Sequence, residues 1–74
     1  MEFLWDDNNT AHIGEHGIPP KLAEQVFWAG VDTMRPSRVR HRYVIEAEVQ
    51  GQLYRLVFDI SASETIYPIT CFPL

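Results

Sequence analysis

Four arginines lie within eight residues near the middle of the chain, with no acidic residue among them: Arg35, Arg38, Arg40 and Arg42. The planar guanidinium group of arginine can donate two parallel hydrogen bonds to one phosphate or carboxylate group. Arg38, Arg40 and Arg42 also alternate, so in an extended strand they would share one face. This spacing indicates an anion-binding stripe, although a solvated strand face would show the same pattern.

A second group of reactive side chains lies earlier, where His12, Glu15 and His16 read H-x-x-E-H. These are the letters of an inverted zinc-protease motif, in which two histidines on one helix face bind zinc and the glutamate activates water. Gly14 weakens the helix that would hold them, and 74 residues hardly provide a large cleft and a further ligand. We therefore predict no metal site and expect His16 to lie at a helix end, as a packing residue or a proton-transfer group.

The charges are unevenly distributed along the chain, whose net charge is −4. Residues 1–33 carry six acids and one base, a net of −5, whereas residues 34–74 carry five arginines and four acids, a net of +1. A local basic stripe can attract an anion on an acidic protein, because charges more than about 8 Å apart are largely screened at physiological salt.

The chain has 74 residues, of which 46% are hydrophobic. This length and composition predict one small globular domain that spans residues 1–74. Cys71 is the only cysteine, which excludes an internal disulfide and fits a reducing compartment. No apolar stretch approaches the roughly 18 residues of a membrane span. We expect a cytoplasmic protein that does not associate with membranes.

The first half of the chain predicts a short strand and two helices. Glu2–Trp5 reads as the strand, and the acidic and amide side chains after it suit the start of a helix that ends near His16, with Gly17 as its left-handed cap. Pro20 fits the first turn of a second helix, which ends at Gly30. Its apolar residues share one stripe: Leu22, Ala23, Val26 and Phe27. Residues 31–36 are expected to form a loop.

The second half alternates with period two and predicts three strands. The first runs from Arg38 to Val49, with His41 and Tyr43 on its core face. Gln50-Gly51 forms a tight turn into the second strand, which places Glu46 opposite Arg55 and predicts a salt bridge. Residues 65–72 form the third strand, which Pro68 makes an edge or a bulged strand. The fold class is α+β in the order β-α-α-β-β-β, with both helices on one face of a small antiparallel sheet.

The first third of the chain resembles the BrnT-like toxins, compact members of the RelE-like ribonuclease toxins of bacterial toxin–antitoxin pairs. The matching segments are Trp5-Asp6, His12-Ile13, His16-Gly17-Ile18, Pro20 and Glu24–Phe27. An Arg-bearing strand and two further strands follow in the family and here, and the Trp5-to-His16 spacing is similar to that of a subgroup of short members. Such toxins end in an Arg-rich strand and a basic tail, whereas the last nine residues here contain no arginine.

The resemblance implies metal-independent cleavage of RNA, in which the substrate's 2′-OH attacks the adjacent phosphate without any cofactor. This chemistry needs proton-transfer groups and cations that stabilise the phosphorane-like transition state. We expect His16 or His41 to exchange protons, with Tyr43 and Glu46 as further candidates, and Arg40 and Arg42 to act on the phosphate. RNA and phosphate binding would also use Arg38 and Arg55, and a cognate antitoxin would cover the basic face.

Two alternatives remain open from the sequence. The chain could be a non-catalytic interaction module on the same scaffold, without the C-terminal arginines and basic tail, that pairs with a partner or forms a homodimer through the Pro68 edge strand. The tyrosines Tyr43, Tyr54 and Tyr67 could stack on exposed bases of RNA, or they could form cross-strand pairs that stabilise the sheet.

Overall fold

Five strands and two helices make up the structure, a computed structural model that describes residues 1–74. The predicted α+β order is confirmed, with one short strand and one turn of 3₁₀-helix (Val31–Thr33) added between α2 and β3 in the segment predicted as a loop. The elements are β1 (Glu2–Phe3), α1 (Asp7–Gly14), α2 (Pro20–Gly30), β2 (Arg35–Pro36), β3 (Arg42–Val49), β4 (Gln52–Ile60) and β5 (Thr65–Pro73).

The sheet has the spatial order β1-β5-β4-β3-β2. All neighbouring strands are antiparallel except β1, which pairs parallel with β5, so the sheet is mixed. The predicted two-residue turn joins β3 and β4, with φ values of 51° at Gln50 and 82° at Gly51. It fixes the predicted register, in which Glu46 lies opposite Arg55.

Both helices pack on one face of the sheet and bury the core there. The apolar stripe predicted for α2 is confirmed, since Ala23, Val26 and Phe27 are fully buried. The core is completed by Ile13, Ile18, Ile45, Ala47, Leu56, Phe58, Ile66 and Cys71. The opposite face carries alternate residues of β3, β4 and β5 that remain partly exposed, and neither helix covers it.

Asn9 is a buried polar residue that joins three segments of the chain. Its side-chain oxygen accepts a hydrogen bond from the backbone N–H of Asp6. In return, the Asp6 carboxylate accepts a hydrogen bond from the backbone N–H of Asn9, and this reciprocal pair caps the N-terminus of α1. Its amide nitrogen donates to the carbonyl oxygens of Leu4 and Pro68, each at 3.0 Å. The side chain therefore connects the end of β1, the start of α1 and the middle of β5.

Pro68 does not lie on an exposed edge, so that prediction is wrong. Pro68 is fully buried, β1 pairs with the start of β5, and Asn9 binds the Pro68 carbonyl on the same side. The alternative prediction of a bulge is confirmed, because the β4–β5 register shifts between Val57 and Phe58. An edge-strand homodimer through Pro68 would have to displace these contacts.

Neither helix has the length and apolar character needed to cross a membrane.

Two glycines give opposite predictions for alanine substitution. A Cβ at Gly30 would collide with the Ile45 side chain and approach Ala47 Cβ to 3.0 Å, whereas nothing lies within 4 Å of a Cβ at Gly14. We expect Gly30→Ala to lower the free energy of unfolding by about 1–3 kcal/mol through overpacking. Gly14→Ala should raise it by up to about 1 kcal/mol, because alanine favours helix. Urea denaturation measures both, and shifts of the same sign would contradict the packing of α2 on β3.

The Asn9 side chain should carry a large share of the stability. Asn9→Ala removes a helix cap and leaves the buried Pro68 carbonyl without its donor, so we expect a loss of about 2–4 kcal/mol in the free energy of unfolding. Asn8→Ala is the matched control, because Asn8 is exposed and its side chain makes no hydrogen bond. Urea denaturation curves that place the two variants within about 0.5 kcal/mol of each other would contradict this role.

Candidate functional site

The predicted arginine stripe is divided between a turn and a strand. β3 begins only at Arg42, so the predicted strand start at Arg38 is wrong, and Arg40 does not share a strand face with Arg42. Residues 37–41 form an exposed turn, named here the His41 turn, in which the Ser37 hydroxyl accepts the Val39 N–H at 3.0 Å. An exposed turn with Val39 at 51% exposure produces the same polar–apolar alternation as a strand.

His41 ends this turn in a left-handed conformation, with φ of 65°. The side chain of His41 is exposed, so its predicted position on the core face is wrong. Its carbonyl accepts the Ile60 N–H at 2.9 Å, which ties the turn to the end of β4.

The five arginines form two groups according to their partners. Arg42 donates from Nε to Asp59 Oδ1 at 2.9 Å, and both Arg35 and Arg55 bind the Glu46 carboxylate. Arg38 and Arg40 form no salt bridge and are exposed. The unneutralised positive charge of this region is therefore concentrated on the His41 turn.

The Glu46–Arg55 pair lies on the uncovered face of the sheet, as the hairpin register predicted. Arg55 Nε donates to Glu46 Oε2 at 2.6 Å, and the Arg55 guanidinium lies 5.8 Å from the centre of the Phe72 ring. The hydrogen bond from Arg55, with a smaller contribution from Arg35, lowers the pKa of Glu46. A carboxylate held in its ionised form by two cations is poorly suited to donate a proton.

The structure does not bring His16 and His41 together. The His16 ring lies 5.8 Å from Phe72, which pairs with Arg55 and is therefore level with Glu46 on β3. Glu46 is four residues from Arg42, about 13 Å along the strand, and β3 and β5 are about 10 Å apart across β4. The two histidines therefore cannot act on one phosphate in this arrangement.

The H-x-x-E-H segment lies at the end of α1. The rings of His12 and His16 are 6.4 Å apart between centres, and both side chains are exposed. No group of three histidine, cysteine, aspartate or glutamate side chains is arranged to hold a metal ion. Burial raises the pKa of the Cys71 thiol to about 11, which keeps it protonated and unreactive.

An open cavity of about 630 Å³ lies beside the His41 turn, at the end of the sheet. His41 forms one wall, and the opposite wall lies on the far side of β4, where Leu4 follows β1 and Tyr67 belongs to β5. The remaining lining comes from the end of β4, the turn that follows it and the first residue of β5: Asp59, Ile60, Ser61, Ala62 and Thr65. Of the side chains predicted to exchange protons, only His41 lines this cavity.

Tyr67 is held in the cavity wall by a contact with the start of α1. Its hydroxyl donates to Asp6 Oδ2 at 2.9 Å. The pKa of Asp6 is lowered, mainly by the hydrogen bond from the Asn9 backbone and then by that from the Tyr67 hydroxyl. The Asp6 carboxylate correspondingly raises the pKa of Tyr67, so the phenol stays protonated.

The other two tyrosines belong to the core side of the sheet. Tyr43 stacks on Phe58 with ring centres 6.1 Å apart, and Tyr54 packs against the core cluster. The alternative of structural packing therefore holds for both, while Tyr67 is left on the uncovered face. The hairpin register that predicted the Glu46–Arg55 pair also places Asp59 opposite Arg42, and this signal could have identified Asp59 from the sequence.

The Asp6–Tyr67 contact predicts a measurable change in acid titration. Asp6 stabilises the fold fully above its ordinary pKa of 3.8, and this contribution is lost as the pH falls through the lowered pKa of the folded protein. Tyr67→Phe should move the pKa of Asp6 upward but not to 3.8, because the Asn9 bond remains. Side-chain carboxyl NMR would measure it, with Tyr54→Phe as control. An unchanged Asp6 pKa in Tyr67→Phe would contradict the contact.

Comparison with solved structures finds one experimental fold that matches the whole chain. It is the ribonuclease toxin BrnT of Brucella abortus, with a TM-score of 0.77 and 21% sequence identity, over 100% of this chain and 96% of that one. Neither models of protein families nor curated protein sequences give a match. The chain therefore has the BrnT fold, and the resemblance seen in its sequence is confirmed at the level of the fold.

Proposed function

We propose that this chain is a toxin-like endoribonuclease of a toxin–antitoxin pair that acts in the cytoplasm and cleaves RNA without a metal ion. The observation that carries the proposal is the His41 turn, which carries two arginines without a salt bridge and whose exposed histidine lines an open cavity. The fold that the chain shares with a ribonuclease toxin supports the same conclusion.

The unpaired arginines would bind the RNA phosphate. Arg38 and Arg40 need not give up a carboxylate partner in order to bind an anion, so the gain from phosphate binding is not reduced by breaking an ion pair. Arg42 would act differently, because it has five N–H donors and uses two of them on Asp59. Its other donors remain available to a phosphate oxygen while Asp59 keeps the side chain in place.

His41 would be the proton-transfer residue at this phosphate. An imidazole group can take the proton of the attacking 2′-OH or donate one to the leaving 5′-oxygen. The left-handed backbone at His41 and the Ile60–His41 hydrogen bond fix the Cα from which the ring projects. Because His16 lies beside Phe72 on β5, two strands away from β3, we assign this role to His41 alone.

The antitoxin would bind over the His41 turn. A partner segment rich in aspartate or glutamate would pair with Arg38 and Arg40, since these are the arginines that this chain leaves unneutralised. Covering the turn would also block the cavity beside His41, so one contact would both recognise the toxin and inhibit it.

A non-catalytic interaction module on the same scaffold is the second candidate. It is favoured by the ion pairs that occupy Arg35, Arg42 and Arg55, because these leave the uncovered sheet face nearly charge-balanced. Such a module would bind its partner through the His41 turn and would leave RNA intact. RNA cleavage therefore separates the two candidates.

Incubation of a mixed RNA with the purified protein in excess EDTA tests the proposal. We expect Arg40→Ala to slow cleavage about 10- to 1000-fold through loss of a transition-state cation, and His41→Asn about 100-fold or more through loss of proton transfer. Asparagine suits the left-handed backbone at this position, so His41→Asn should fold normally. Gel electrophoresis of end-labelled RNA would give the rates.

Lys21→Ala is the matched control, because it removes one exposed positive charge from α2, away from the His41 turn. Its cleavage rate should equal that of the unaltered protein. An absence of cleavage by the folded unaltered protein would favour the interaction module. Equal rates in all variants would place the chemistry elsewhere on the molecule.

A further inference from the structure

We infer that the cavity beside the His41 turn is a nucleobase subsite, in which a base next to the bound phosphate stacks on the ring of Tyr67. This inference rests on the proposed function and identifies the part of the RNA that the site would hold. It adds to the phosphate-binding arginines a group that contacts the substrate through its apolar surface.

The dimensions of the cavity fit a base. His41 and Tyr67 stand on opposite sides of β4, so their backbones are about 10 Å apart, two interstrand spacings. Stacked bases in a nucleic acid repeat about every 3.4 Å, so one base fits between two such walls. The volume of about 630 Å³ leaves room for the attached ribose, and the cavity opens to solvent where a continuing strand must enter.

The chemistry of the lining favours stacking over hydrogen bonding. Leu4, Ile60 and Ala62 present apolar surface. The hydroxyls of Ser61 and Thr65 are already joined through Ser63, at 2.9 and 3.2 Å, and the Ser61 hydroxyl also accepts the Thr65 N–H. These polar groups have partners within their own turn, so a base would be held mainly by its faces.

Tyr67 is prepared for this role before any ligand binds. Its ring lies on the uncovered face of the sheet, in register with Asp59, and its hydroxyl is held by both oxygens of Asp6. A ring fixed at both ends loses little conformational freedom when a base stacks on it, so most of the stacking energy remains available for binding. Leu4, which follows β1, lies beside it in the same wall.

The position of the cavity relative to the arginines identifies the ligand as a nucleotide. Arg40 immediately precedes His41, and Arg42 holds Asp59 in the cavity lining. A planar apolar group in the cavity would therefore have cations beside one edge. A base attached to a phosphorylated ribose has this combination of an apolar ring and an anion.

Adenosine 5′-monophosphate and ribose 5-phosphate form the matched pair of probes, because they differ only in the base. Titration followed by amide NMR signals of residues 38–42 and 59–67 would give both dissociation constants. We expect the nucleotide to bind at least fivefold more tightly. Tyr67→Leu should weaken nucleotide binding about 5- to 150-fold and leave ribose 5-phosphate unchanged.

Trp28→Leu is the control for loss of an exposed aromatic side chain, since Trp28 lies on α2 and is 56% exposed. It should bind both probes as the unaltered protein does. Tyr67→Phe keeps the ring and should retain most of the nucleotide binding, which separates stacking from the Asp6 contact.

The outcomes distinguish the subsite from the proposed function. Equal affinities for the two probes, or equal losses of both in Tyr67→Leu, would overturn the base subsite while leaving the phosphate site intact. If neither probe shifts residues 38–42, the subsite is also overturned, and cleavage of RNA in EDTA then decides the proposed function separately.

Discussion

One wall of the cavity, formed by Leu4 and Tyr67, depends on one buried amide, the side chain of Asn9. An unsatisfied buried amide or carbonyl costs about 1–3 kcal/mol, so the three segments that Asn9 joins must meet at fixed positions. Its bond to Leu4 sets the end of β1, and its reciprocal bonds with Asp6 start α1. Asp6 in turn binds Tyr67. Leu4 and Tyr67, which form one wall of the cavity, are therefore positioned by a residue that does not line it.

The charge distribution follows from the way the sheet is covered. Two helices can cover only one face of a small sheet, so the other face must remain compatible with water. It does so through cross-strand ion pairs in register, Arg42 with Asp59 and Arg55 with Glu46. These pairs neutralise the sheet face and leave Arg38 and Arg40 as the arginines without a partner. Although the chain is acidic overall, the His41 turn therefore carries a local positive charge. This turn adjoins the cavity in which we propose that a nucleotide binds.

The regular elements could be predicted from the sequence because their signals are local. Three such features are the apolar stripe of α2, the left-handed conformation of Gly17 and the two-residue turn at Gln50-Gly51. Each depends only on residues that are close together in the sequence. The His41 turn has the sequence pattern of a strand, because Arg38 to His41 continue the alternation of β3. The Asn9–Pro68 contact joins two residues that are 59 positions apart in the sequence, and the Asp6–Tyr67 contact joins two that are 61 positions apart. No local pattern encodes such pairs. The cavity walls could therefore not be predicted, although hairpin register alone gives the Arg42–Asp59 pair.

The proposed function requires RNA to bind at the His41 turn and the adjoining cavity. Titration with a short 2′-O-methyl RNA, which lacks the attacking hydroxyl and cannot be cleaved by this chemistry, tests it most directly when backbone amide shifts are mapped by NMR. We expect the largest shifts to fall in residues 38–42 and 59–67 and to weaken as salt is added. Shifts concentrated around His16 and Phe72, or at the hairpin turn at Gln50-Gly51, with none at the His41 turn, would contradict it.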